Sequence, residues 1–290
     1  MHISSPLVNR AQTMDLPRST WKAELSLRFR HVAERSVLAE RLHYGPLMVQ
    51  KPLYPEGPNV CHAIVIHPPG GIAGGDELSL VMGLDAGAHA LVTTPAATKW
   101  YKAGDGVSRQ DGTFTVADGA VLEWLPLENI VFDAAQAAMT WQVNLSHTAV
   151  FAGWEITCLG RRAWGETFAT GKLRQATRIF RNDIQVWGDH VALDGQDPLM
   201  TSIVGLRNAC VFGTMVIAAG AVPAEVLDRC RTIAPADGAG SGVTALPEIF
   251  AARYLGDSAE RAKAYFADLW AILRPWYAKR AAHRPRLWDT

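Results

Sequence analysis

The densest run of residues able to do chemistry is His67-Pro68-Pro69-Gly70-Gly71-Ile72-Ala73-Gly74-Gly75-Asp76, followed by Thr93-Thr94-Pro95-Ala96-Ala97-Thr98-Lys99. An imidazole, paired glycines and a carboxylate this close together invite a phosphate- or metal-binding reading. The phosphate reading fails on charge and spacing. A P-loop sets Lys-Ser or Lys-Thr directly after its last glycine, so that the lysine meets the β- and γ-phosphates and the hydroxyl holds magnesium. Here Asp76-Glu77 follows Gly75 and would repel a phosphate. The dinucleotide fingerprint fails too, because the glycines fall as G-G-x-x-G-G-D and lead into a period of two. Leu78, Leu80, Met82 and Leu84 alternate with Glu77, Ser79, Val81 and Gly83, so the loop reads as positive-φ turns feeding a strand.

Cys61, His62 and His67 offer ligands that suit nickel or zinc. Neighbours on a strand point to opposite faces, so only one of Cys61 and His62 can join His67, and a cysteine in an apolar strand is more often packing. The nine histidines form no H-x-H or H-E-x-x-H pattern. No G-x-S-x-G nucleophile elbow is present, and nothing local supports a triad of Ser202, His190 and Asp194. The carboxylates Asp76, Glu123, Glu128, Asp133, Glu155 and Glu166 remain. Glu123 lies within Val121-Leu122-Glu123-Trp124-Leu125. Strand periodicity favours a solvent-facing position there; the other reading is a buried polar lining to an internal channel. The tail ends in Arg284-Pro285-Arg286-Leu287-Trp288, where an apolar pair is either a solvated end or a docked anchor.

These residues are positioned by strands. Ala23–Arg30 alternates cleanly and Val60–Ile66 is a continuous apolar run; further strands are expected over 140–150, 154–159, 173–180, 183–186 and 209–218. The segments 84–95 and 116–126 resemble each other, each with a Gly-Ala turn, and Gly87 and Gly119 are 32 residues apart. That spacing suggests stacked β-coils or repeated hairpins. Helices are expected only late: one with Pro223 at its first position, and one from about Asp257 to Leu273, which Pro275 limits. Pro235–Gly242 reads as a loop and Ile249–Leu255 as a last strand. The fold class is mostly β, a β-helical or stacked-hairpin scaffold with two C-terminal helices. Residues 1–17 read as a flexible leader and 18–290 as a single domain.

With 28 basic and 28 acidic residues, no overall field recruits nucleic acid or an anionic membrane. The four scattered cysteines fit a reducing compartment, and no apolar run marks a signal peptide or a membrane span. A cytoplasmic location is expected.

Four pieces carry a resemblance: H-P-P-G-G-x-x-G-G-D at 67–76, T-T-P-A-A-T-K at 93–99, E-W-L-P at 123–126 with Glu128 and Ile130, and P-R-L-W at 285–288. In this order the chain resembles the urease accessory protein UreD family, called UreH in some species. Leu127, where a polar residue is expected, and the bulky Trp100 depart from the pattern. The resemblance implies a mostly antiparallel β-helical scaffold with two helices and no catalytic activity. It implies binding to apo-urease and recruitment of UreF and, through it, the GTPase UreG, which delivers nickel. No cofactor is held stably; nickel(II) is cargo in transit, met by weak sequential ligands. The family-motif residues are His67, Pro68, Gly70, Gly71, Gly74, Gly75, Asp76, Thr94, Pro95 and Lys99. Candidates for lining the nickel path are His67, Asp76, Glu123, Glu128, Glu155 and Glu166. Candidates for the partner surface are Trp270, Trp276, Leu287 and Trp288. The rival functions are a nickel-storing metallochaperone and a metal-dependent hydrolase.

Overall fold

The computed structural model describes residues 20–104, 106–236 and 238–289; the segment read as a leader, 1–17, lies outside them. Strict alternation gives β1 (Lys22–Val32) one dry face, with Ala23, Leu25, Leu27 and Phe29 buried. It pairs antiparallel with β2 (Arg35–Tyr44) and parallel with β6 (Glu77–Leu84). Parallel pairing continues through β9 (Ser108–Val116), β12 (Gln136–Leu145) and β14 (Lys172–Arg181); β15 (Ile184–Asp194) closes that edge antiparallel. A second sheet runs in the order β17 (Gly240–Ala245), β18 (Ile249–Gly256), β16 (Val211–Ala218), β13 (Val150–Leu159), β10 (Val121–Trp124), β7 (His89–Thr93), β4 (Cys61–Ile66) and β3 (Met48–Val49). The short strands β5 (Gly71–Ile72), β8 (Thr98–Trp100) and β11 (Asn129–Val131) make a third ladder.

The chain therefore winds in coils. Each coil takes one strand from the second sheet, one from the short ladder and one from the first sheet. The central ladders are parallel, which corrects the expectation of a mostly antiparallel scaffold. A coil that returns to its starting side without reversing places each strand parallel to the one below, and the short third side supplies the crossover that parallel pairing requires. Antiparallel pairs are confined to the outer strands. The resembling turns stack as expected: Gly87 (φ 73°) donates its N–H to the Asp118 carbonyl at 3.1 Å, next to Gly119 (φ 67°). The following coil turns at Thr148, whose N–H and hydroxyl reach the Asp118 carboxylate at 2.9 and 3.0 Å. That turn has no glycine, so it escaped the sequence comparison.

Two apolar cores occupy the two faces of the second sheet. Inside the coils lie Leu25, Phe114, Trp124, Trp141 and Phe151. Outside, Trp154, Ile156 and Phe250 pack against α2 (Ala259–Ala278), with α1 (Ala224–Arg231) beside it. Pro223 is the N-cap of α1, one position earlier than expected, and the strand Gly240–Ala245 takes in the last three residues of the expected 235–242 loop. The Ser258 hydroxyl caps α2 by accepting the Arg261 N–H at 3.3 Å. Pro275 lies within α2 instead of ending it. A mid-helix proline costs about 3 kcal/mol or more; here the last turn is held by buried contacts from Arg274 and Tyr277, described below.

Candidate functional site

Two polar groupings sit on opposite faces of the second sheet. The outer one is built around Arg274, which is fully buried on α2. Its guanidinium Nε and Nη2 donate to Glu123 at 3.0 and 2.9 Å, Nη1 and Nη2 to Glu56 at 2.5 and 2.8 Å, and Nη1 to the Ala281 carbonyl at 2.7 Å. Glu123 also accepts from the Trp270 indole at 2.9 Å and the Tyr277 hydroxyl at 2.5 Å. His89 reaches Glu123 at 3.0 Å, and His62 reaches Glu56 at 2.6 Å. Burial works against both carboxylates, but these partners hold Glu56 down at about 2 and Glu123 well below the ordinary range. Glu123 is thus not the solvent-facing residue that periodicity favoured. It faces α2 and is saturated by donors, an anchor that ties the helix and the chain beyond it to β10.

The inner grouping lies within the coils. Glu155, on β13, accepts from the Trp141 indole at 3.0 Å and from the Asn129 amide at 3.5 Å. Asn129 in turn accepts from the Trp100 indole at 3.0 Å, and Thr157 donates to Gln175 at 3.4 Å. All the donors to Glu155 are neutral, and burial raises its carboxyl to about 7, with Asp189 adding to the rise. A group balanced between its acid and its carboxylate near neutral pH can take up a cation and release it again, exchanging it for a proton. The adjoining cavity, about 40 Å³, is bordered by Glu155, Gln175, Asp189 and Thr214. That volume has room for a water or a bare ion. The buried Trp187 indole N–H on its wall has no acceptor among the described residues, which fits a site that holds water.

The motif loops face each other across a second cavity, of about 80 Å³, lined by His67, Gly70, Gly71, Thr94, Pro95 and Thr98. Pro68 belongs to the turn that the Gly70 N–H closes on the His67 carbonyl at 2.8 Å. A Cβ on Gly71 would come within 2.3 Å of the Tyr101 ring, and one on Gly74 within 3.0 Å of Ala103, so the paired glycines allow close approach; Gly75 adopts φ 90°. Asp76 accepts the Trp21 and Ala73 N–H groups, each at 2.9 Å, and so fastens the turn to β1. Burial lowers the His67 imidazole, which the Asp76 charge partly offsets. Lys99 is exposed and borders an outer groove with Glu128 and Trp164. Glu166 pairs with Arg161 at 2.5 Å at the surface.

The proposed path residues are therefore not brought together. Glu123 and Glu155 lie on opposite faces of one sheet, Asp76 and Glu166 are committed to local bonds, and His67 and Glu155 border separate cavities. Among the described residues no three His, Cys, Asp or Glu side chains converge as a metal cage. Of the residues offered as a partner surface, Trp270 and Trp288 are buried, because the chain folds its own tail under α2. The Trp288 ring lies 5.2 Å from Trp154 and 5.7 Å from Trp270, with its indole N–H on Thr93 at 3.0 Å. Trp276 and Leu287 are half-buried. Sequence reasoning missed Glu56, His89, Asn129, Gln175 and Arg274. Only Arg274 left a trace, a lone cation at helical spacing between Trp270 and Tyr277.

Comparison with known sequences places the chain. The sequence profile of the UreD urease accessory protein matches residues 22–289. The chain belongs to the UreD family. It is similar to the urease accessory protein UreD of Methylobacillus flagellatus, 49% identical over 270 residues covering 93% of this chain and 95% of that protein. It is similar also to those of Dechloromonas aromatica (48% over 274 residues, 93% and 95%) and Pseudomonas fluorescens (42% over 284 residues, 96% and 100%). Membership of the family implies a role in urease maturation, and the relatives' description as accessory proteins suggests a non-catalytic one. Among the described residues no helix is long and apolar enough to cross a membrane.

Proposed function

We propose that the chain is a non-catalytic scaffold for nickel insertion into urease, binding apo-urease and recruiting UreF and, through it, the GTPase UreG, with nickel ions crossing the coil interior past Glu155. The observation that carries the nickel path is Glu155 itself: a half-buried carboxylate with no cationic partner among the described residues, raised to about 7, beside a cavity of about 40 Å³. A conduit needs ligands that bind weakly and let go, and one oxygen donor among neutral amides and indoles meets that need better than a closed cage. Glu123 supports the scaffold role instead, because its bonds to Arg274 and Tyr277 leave no lone pair for a passing ion.

The test is nickel-dependent activation of apo-urease by the assembled proteins, with wild-type chain and with Glu155→Gln. The substitution keeps shape and hydrogen bonding but removes the charge. Slower activation with intact co-purification of UreF and UreG is expected. Unchanged activation would remove Glu155 from the path. Stoichiometric, submicromolar nickel binding by the isolated chain would favour the storage role.

A further inference from the structure

The two cavities, each partly open to the outside, meet at one side chain. One lies by Phe114, Trp141, Glu155 and Gln175, the other by His67, Thr94, Thr98 and Gln110, and Trp124 is the residue common to both walls. The residue is 5% exposed, and its ring stands within the coils, 5.4 Å from the Trp141 ring and 5.7 Å from Phe114. The other buried tryptophans are pinned by their indole N–H groups: Trp100 to Asn129, Trp141 to Glu155, Trp154 to the Pro126 carbonyl, Trp270 to Glu123 and Trp288 to Thr93. No hydrogen bond holds the Trp124 indole among the described residues. It sits at the last position of β10, with a void on either side.

We propose that the Trp124 indole is a gate between the cavity beneath the motif loops and the cavity at Glu155. As found, the ring separates an imidazole-bearing chamber from a carboxylate-bearing one. Rotation about its side-chain bonds exchanges one void for the other and joins them, with no hydrogen bond to break. This inference rests on the reading of the interior as a nickel path, and it adds a control point to that path. A closed ring keeps water and ions from leaking through the coils; an open one admits one ion at a time.

The experiment measures the initial rate of nickel-dependent activation of apo-urease in the assembled complex, with Trp124→Phe, Trp124→Ala and Glu155→Gln. Thermal melts first establish that each variant folds. Trp124→Phe keeps an apolar ring and serves if the alanine variant does not fold. Initial rates rising several-fold, more for alanine than for phenylalanine, with unchanged final activity, are the expected result. Unchanged or slower rates in folded Trp124 variants, while Glu155→Gln slows activation, overturn the gate and leave the path standing. No effect from any of the three overturns the path and the gate with it. Faster Trp124 variants alongside an unaffected Glu155→Gln keep the gate and exclude Glu155.

Discussion

Glu155 is half-buried and the Glu56 side chain almost wholly buried, and their partners set the two carboxylates in opposite directions. Neutral donors leave burial uncompensated at Glu155, which rises from 4.5 to about 7. A raised acid contributes its full stability below the unfolded value of 4.5 and loses it as pH climbs through 7, since the folded form then binds more protons than the unfolded. One pKa unit is worth about 1.4 kcal/mol, so ionising Glu155 costs on the order of 3 kcal/mol by pH 8. Glu155→Gln is expected to be more stable than wild type at pH 8 and no more stable at pH 4, read as urea midpoints at the two values. Greater stability combined with slower urease activation is the mark of a residue kept for function. Glu56 behaves the other way. Arg274 and His62 hold it at about 2, so its stabilisation is present above 4.5 and is lost as pH falls from there toward 2. The wild type should therefore lose stability across that window, and Glu56→Gln, already weaker at pH 7, should lose less of it. Equal losses in the two proteins would mean that the Arg274 pair does not set the acid limit.

At the scale of elements, α2 and the tail behind it act as one clasp on the second sheet. The helix starts at a serine cap, passes through Pro275, and ends with Lys279 in the left-handed region at φ 55°. From there the chain returns so that Ala281 meets Arg274 and the Trp288 carbonyl accepts from Lys263 at 2.9 Å. The tail is therefore part of the fold before it is part of any interface. Trp288→Ala removes a buried ring and is expected to cost about 3–5 kcal/mol, seen as a lower melting temperature of the isolated chain. A variant that melts normally yet fails to bind its partners would restore the tail as an exposed anchor. Pro275 shows how a local rule is overruled. Proline after Arg274 reads as a helix stop, but the bonds from Arg274 and Tyr277 to Glu123 come from 151 and 154 positions away, beyond the reach of local spacing.

The whole molecule is a coil stack carrying a second core on its back. Alternation in β1 and the two Gly-Ala turns made the stack legible in the sequence, since one periodicity fixes the buried face and the other the length of chain in a coil. The parallel sense of the ladders was not legible, because a buried strand reads alike in either direction. Nor was the inner site. Gln175 lies on the far side of the coil that carries Glu155 and Thr157, Asn129 lies on the coil before it, and only winding and stacking gather them. The same architecture predicts how the protein comes apart. The inner cluster, with Phe114, Val116, Val143 and Leu145, and the outer cluster, with Phe266, Trp270 and Leu273, share a sheet but not a core. In stacked coils, stability is largely a sum of neighbouring contacts, so loss of the clasp need not dissolve the stack. Removing one partner of a buried ion pair costs about 3–5 kcal/mol, and Arg274→Ala leaves two such partners, Glu56 and Glu123. Hydrogen exchange on that variant should show protection lost in α2 and in β18, which packs against it, while the amides of β9 and β12 keep theirs until global unfolding. A uniform loss across both groups of amides would show one cooperative unit, with α2 holding the coils closed instead of resting on them.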